Sequence, residues 1–427
     1  MSDILSIYAT IFGSLDTVVT VIRHTWFLIL PPVLYKIFRL LWFDYVQDVY
    51  ASSQEYDMVE IIPPKNVEQS PQLMESLFAG LQGTRITIPT YEEVCNGAMQ
   101  PVFIFETVGT NGGVRFYLML PTEVRDVFES HLYAQYPQAY VRDTEDYVDD
   151  IPALIPNKDW NVWGADMELL KPDPVPIKTW PHFEEDVTGK MIDPLSGMIE
   201  VMGRAKRGEY LCWQMMIEPL PESWHDTEGE KYVNELKGKS SPPSIGMLGK
   251  IALALTGFLG SGGGGGPSPA EEQPLEFRLS PGEKKVLEAI EENIGRYMFI
   301  VKMRMMYAAR RDIFNKAMVF GYFGAMKQFA DFNLNAFKPH VPSITYALYL
   351  FRHTRLRFKQ RKLMYVYRKR KMSGVKFVMS DRELATIYHM PDMNVMAPAI
   401  ARARSATATA PTNLPIPSEI NAIIPTK

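Results

Sequence analysis

Ten lysines and arginines fall between residues 352 and 371, with no acid among them. They are Arg352, Arg355, Arg357, Lys359, Arg361, Lys362, Arg368, Lys369, Arg370 and Lys371, interleaved with Leu356, Phe358, Leu363, Met364, Val366 and Tyr367. Cations at this density can neutralise nucleic-acid phosphates, a contact that weakens steeply with salt. They can equally rest on anionic lipid headgroups, where each adds about 1 kcal/mol. A third reading is a helix whose apolar stripe packs on a globular body while its charges face water or a protein partner. Removing these ten from the chain's 45 Lys and Arg leaves 35 against 49 acids, so one basic segment sits on an otherwise acidic protein.

Other chemistry is sparsely encoded. The glycine-rich run 260–266 invites comparison with a phosphate loop, but that motif needs a lysine and then Ser or Thr, and Pro267 stands in the lysine's place. His24, His131, His182, His225, His340, His353 and His389 form no HExxH and no metal-ligand spacing. Acid clusters at 143–150 and 184–186 lack the calcium-loop pattern and read as solvated loops. Cys95 and Cys212 are too few for a thiolate zinc site or a disulfide framework, and Cys212 lies in an apolar run that suits a buried thiol. With no GxSxG or Cys/His signature either, the expectation is a non-enzyme without catalytic, cofactor-binding or metal-ligating residues.

The elements that position the basic segment follow from periodicity. Residues 26–43 read WFLILPPVLYKIFRLLWF, near the minimum length for a bilayer span, with Trp26, Trp42 and Phe43 at the ends and Lys36 and Arg39 able to snorkel. The earlier apolar run 4–22 carries Asp16 and reads as an interfacial helix or a packed partner. Residues 57–142 alternate β-α-β-β-α-β: strands at 57–62, 101–108, 114–120 and 139–142, helices at 70–83 and 122–136, and a glycine-rich hairpin at 109–113. A looser copy follows, with strands at 160–170, 209–218 and 296–307 and helices at 193–207 and 310–329. Capping boxes at Ser280–Glu283 and Ser380–Glu383 open two further helices. The apolar run 245–259 reads as a surface-seeking segment, the glycine run as a linker.

The expected architecture is therefore α+β. An N-terminal transmembrane helix (1–48) precedes two tandem ferredoxin-like lobes (55–150 and 151–340, the second with an insertion at 222–280). A basic and C-terminal helical segment (341–395) and a flexible tail (396–427) complete the chain.

Several motifs, in order, resemble one family. They are Glu60-Ile-Ile-Pro-Pro-Lys65, the helix beginning Leu73-Met-Glu-Ser-Leu77, Asp193-Pro-Leu195, Leu279-Ser-Pro-Gly-Glu-Lys284, Gln328-Phe329, and Asn333-Leu-Asn-Ala-Phe-Lys-Pro339. Glu383-Leu-Ala-Thr-Ile-Tyr-His-Met-Pro391 and Pro411-Thr-Asn-Leu-Pro415 close the series. Together they resemble the N-terminal, membrane-anchored region of TraC-like (HerA/FtsK-related) conjugation ATPases of the type IV secretion kind, best represented in candidate-phylum bacteria. In that family the Asn-Leu-Pro element leads into a RecA-like motor. Here the sequence ends twelve residues later, and no residue matches the phosphate-binding motif.

What the resemblance implies is a non-catalytic accessory subunit at the cytoplasmic membrane, single-pass and with its bulk in the cytoplasm. It would dock a separate motor ATPase or secretion-channel subunits through Glu383, Tyr388, His389 and Pro391, with lipid and another copy of itself as further partners. The rival expectation is a membrane-tethered nucleic-acid-binding protein that meets DNA through the basic segment.

Overall fold

The computed structural model describes residues 2–64, 70–183, 193–236 and 280–391. The expectations for the acid cluster at 184–186, for 245–259, for the glycine run and for the tail at 396–427 lie outside the described residues.

A single helix, α1 (Ser2–Ser53), runs through the whole N-terminal region. The run 4–22, expected as an interfacial helix or a packed partner, is continuous with the candidate span in α1. Pro31 and Pro32 lie inside α1, where each lacks the amide that an interior turn would use. With Ile86–Gln100, α1 forms one compact unit. The Trp42 indole donates to the Val94 carbonyl at 3.0 Å within it. Gly97 has a φ of +68°, and a Cβ there would lie 2.3 Å from the Val46 carbonyl oxygen, so the close approach demands glycine.

The second unit holds the sheet. Its strands are β1 (Tyr56–Ile62), β2 (Phe103–Thr110), β3 (Gly113–Pro121), β4 (Tyr140–Asp143), β5 (Trp160–Leu169), β6 (Glu209–Pro219), β7 (Met298–Arg310), β8 (Phe337–Pro339) and β9 (Phe377–Ser380). They run in the order β4-β1-β3-β2-β6-β7-β5-β8, with β9 also on β7. Every pairing among the described residues is antiparallel. The turn between β2 and β3 is Asn111-Gly112, both at positive φ (54° and 75°), the tight hairpin geometry that matches strand twist.

The expected tandem lobes are thus not separate bodies. Strands β2 and β6 pair from Phe103↔Ile217 to Gly109↔Leu211 and fuse both halves into one sheet. The reason is burial: both strands are buried along nearly their whole length, and a strand that is apolar on both faces cannot serve as an exposed edge.

Helices α2 (Ser70–Leu81), α3 (Arg125–Gln135), α4 (Ser196–Gly203), α5 (Glu230–Leu236), α6 (Pro281–Ile294), α7 (Ala317–Met326), α8 (Arg352–Arg368) and α9 (Asp381–Ile387) complete the unit. The expected helix 310–329 is shorter because β7 continues to Arg310 and the Asn315 side chain accepts the Ala317 amide, starting α7 there. Both capping boxes form as expected.

Alternation along the strands sorts the sheet's two faces. Phe103 and Phe105, Trp213 and Met215, and Met303 and Met305 join one large core with residues of α2, α3, α4, α7 and α9. The intervening Glu106, Gln214, Lys302 and Arg304 belong to the opposite face, together with a smaller apolar cluster around Cys212, Met306 and α8's Leu363, Met364 and Tyr367.

Candidate functional site

By length and composition, Trp26–Ser53 is the one segment among the described residues fit to cross a membrane. Most of its described apolar side chains are exposed: Leu28 is 65% exposed and Leu40 72%. Arg39 sits 5.6 Å over the Phe43 ring.

The opposite face of the sheet carries a row of polar residues that crosses four strands in register: Glu106↔Gln214, Gln214↔Arg304 and Arg304↔Asp166. Gln214 donates to Glu106 at 2.6 Å, and Arg304 donates to Gln214 at 2.9 Å and to Asp166 at 2.8 Å. Lys302, fully buried, adds a 2.7 Å bond to Asp166. Burial lowers the Lys302 pKa against the opposing pull of Asp166. Arg370 closes the row from above, donating to both oxygens of Glu106 and to Asp146. Three cations and three carboxylates balance within the network, as buried charge requires.

This geometry revises the basic segment. Arg370 is buried, and Arg368 is half-buried, donating to the carbonyls of Val148 and Ile151 and pairing with Asp149 at 2.6 Å. These two hold the protein together and are not free for lipid or nucleic acid, which corrects their assignment as contact residues. Lys371 is half-buried, 5.2 Å over the Tyr365 ring, and Lys359 reaches the Ile344 carbonyl at 3.1 Å. Arg352, Arg355, Arg357, Arg361, Lys362 and Lys369 are exposed.

The residues expected to meet a partner are corrected as well: Glu383, Tyr388, His389 and Pro391 are all buried. Glu383 caps α9 and accepts the Ile177 amide at 2.9 Å. Burial pushes its carboxyl up to about 7, against the hydrogen bonds it accepts. Burial also raises its neighbour Asp381 to about 6, against Arg296. His389 is fixed between the Ala385 carbonyl (2.8 Å) and Asp193 (3.1 Å). The Tyr388 ring packs 4.7 Å from Phe105. The resemblance implies a docking role for these four, but the apolar Leu384, Ala385 and Ile387 between them draw the segment into the core.

Sequence reasoning missed one cluster. His225, Asp226 and Glu230 bring ligand atoms within 4.8 Å of one another, and His225 Nδ1 lies 2.8 Å from the Ile294 carbonyl oxygen. Such a trio can hold a divalent cation. The only signal was a His-Asp pair with a Glu four residues beyond, and the π-helical turn at His225–Gly229 that gathers them has no clear sequence mark.

Residues 41–403 match the family described as a domain of unknown function, DUF8128. The chain belongs to the DUF8128 family. The match takes in the last turns of α1 and the whole described sheet, so in this DUF8128 member the family region includes both the polar row and α8. No curated protein matches the chain.

Proposed function

We propose that the chain is a membrane-anchored, non-catalytic accessory subunit of a secretion- or conjugation-like machine that docks a separate motor ATPase or channel subunit. The observation that carries this reading is an exposed apolar helix followed, after two residues, by a body in which Lys302, Arg304 and Arg370 are spent on Asp166, Glu106 and Asp146. A catalytic site would aim some of them at a substrate. The order of family-like motifs along the chain, from Glu60 to Pro391, supplies the machine class.

In finer terms, α1 passes once through the cytoplasmic membrane. Lys36 and Arg39 in its second half favour a cytoplasmic body. Each half of the sheet is ferredoxin-like: the strand orders β4-β1-β3-β2 and β8-β5-β7-β6, with two helices between strands, support it.

The test is a pull-down of the tagged, detergent-solubilised chain from its native cells, with the co-purifying chains identified. Recovery of a P-loop motor or of channel subunits in fixed ratio is expected. Recovery of the chain alone would overturn the docking role.

A further inference from the structure

A cleft of about 700 Å³ opens beside the start of α8. Lys158, Arg311, Lys316, Arg352 and Arg357 line it, and no carboxylate does. Among the described residues none of these five forms an ion pair; Arg311 spends only its Nε, on the Asn157 carbonyl at 2.8 Å. Elsewhere in this unit Arg370, Arg304 and Arg296 are each matched by an acid, whereas these five are exposed and meet none among the described residues. Five cations around one concave site without a counter-charge repel each other, and a bound anion would relieve that. The volume suits a small polar ligand.

Beside the cleft the chain exposes an apolar tip. Tyr349 is 86% exposed, and Leu350 and Phe351 are each 79% exposed. Tyr349 and Phe351 also have positive φ (63° and 55°), a region that bulky residues rarely enter. Strain of this kind, on side chains that bury nothing, marks a segment shaped for contact. Leu348 and Leu350 suit hydrocarbon, and the exposed Tyr349 and Phe351 are aromatics of the kind that settle at the headgroup level of a bilayer.

We infer that the cleft at the start of α8 binds the phosphate headgroup of an anionic phospholipid while the tip Tyr349-Leu350-Phe351 beds into the bilayer surface. The inference rests on the membrane-anchored reading and adds a second membrane contact to it. The exposed Arg355, Arg361 and Lys362 extend the cationic surface along α8.

The test uses the full chain in vesicles, with a polarity-sensitive fluorophore on Leu350→Cys in a Cys95→Ser background, since Cys212 is fully buried. A second preparation carries the label at Leu34→Cys in α1. Quenching of the 350 label by acyl-chain quenchers is expected in phosphatidylglycerol vesicles but not in phosphatidylcholine vesicles. Each of Lys316→Gln, Arg352→Gln and Arg357→Gln should weaken it about fivefold. An unquenched 350 label with a quenched 34 label overturns the inference and leaves the anchor standing. If neither label is quenched, the anchored reading itself fails. Protection of the 350 label by duplex DNA, without quenching by lipid, would assign the cleft to nucleic acid instead.

Discussion

Arg370 forks onto Glu106 across the sheet: its Nε and Nη2 each lie 3.0 Å from one of the two carboxylate oxygens. The pair is 264 residues apart in sequence and almost wholly buried. It ties the segment after α8 to β2, the strand at which one half of the sheet meets the other. Glu106 also accepts from Gln214 on β6, so one carboxylate joins both halves and the helix that covers them.

Removing one side of that pair strands a buried charge. Arg370→Met should cost about 3–5 kcal/mol of stability, whereas Glu106→Gln with Arg370→Met should recover part of it. Urea unfolding followed by tryptophan fluorescence measures both.

Glu383 gives the sheet unit a pH dependence of known sign. Its folded-state pKa, about 7, stands above the ordinary 4.5, so its contribution is fully present below about pH 4.5 and lost as pH rises through about 7. Asp381 acts the same way near pH 6. Glu383→Gln does not titrate, so relative to the unaltered protein it should gain on the order of 3 kcal/mol between about pH 4 and pH 8. Unfolding midpoints of the two proteins at several pH values check this.

Two glycines separate crowding from backbone strain. A Cβ on Gly109 would lie 2.2 Å from the Met202 carbonyl oxygen, where α4 crosses β2, while one on Gly112 meets nothing within 4 Å. Gly109→Ala should cost about 3 kcal/mol because the backbone must move. Gly112→Ala should cost about 1 kcal/mol, for its positive φ alone. Thermal melts rank them.

Much of this fold was legible in the sequence. Apolar, β-rich runs placed β1 to β7 to within about three residues at either end, and the two serine capping boxes located α6 and α9. What such runs do not reveal is which strand edge seeks which partner, so the β2–β6 junction went unseen. The site was less legible. Composition marked residues 352–371 as cationic, but the burial of Arg370 depends on Glu106 and Asp146, more than 200 residues away. The cleft gathers Lys158 and Arg311 from two distant loops, which no local pattern announces.

Alkaline carbonate extraction of cell membranes reads out whether α1 holds the chain in a bilayer. The unaltered chain should stay with the pellet. Leu34→Arg with Ile37→Arg, each costing about 2.5–3.5 kcal/mol near mid-bilayer, should move it to the supernatant. Release of the unaltered chain by carbonate, without detergent, would mean that α1 does not span a bilayer.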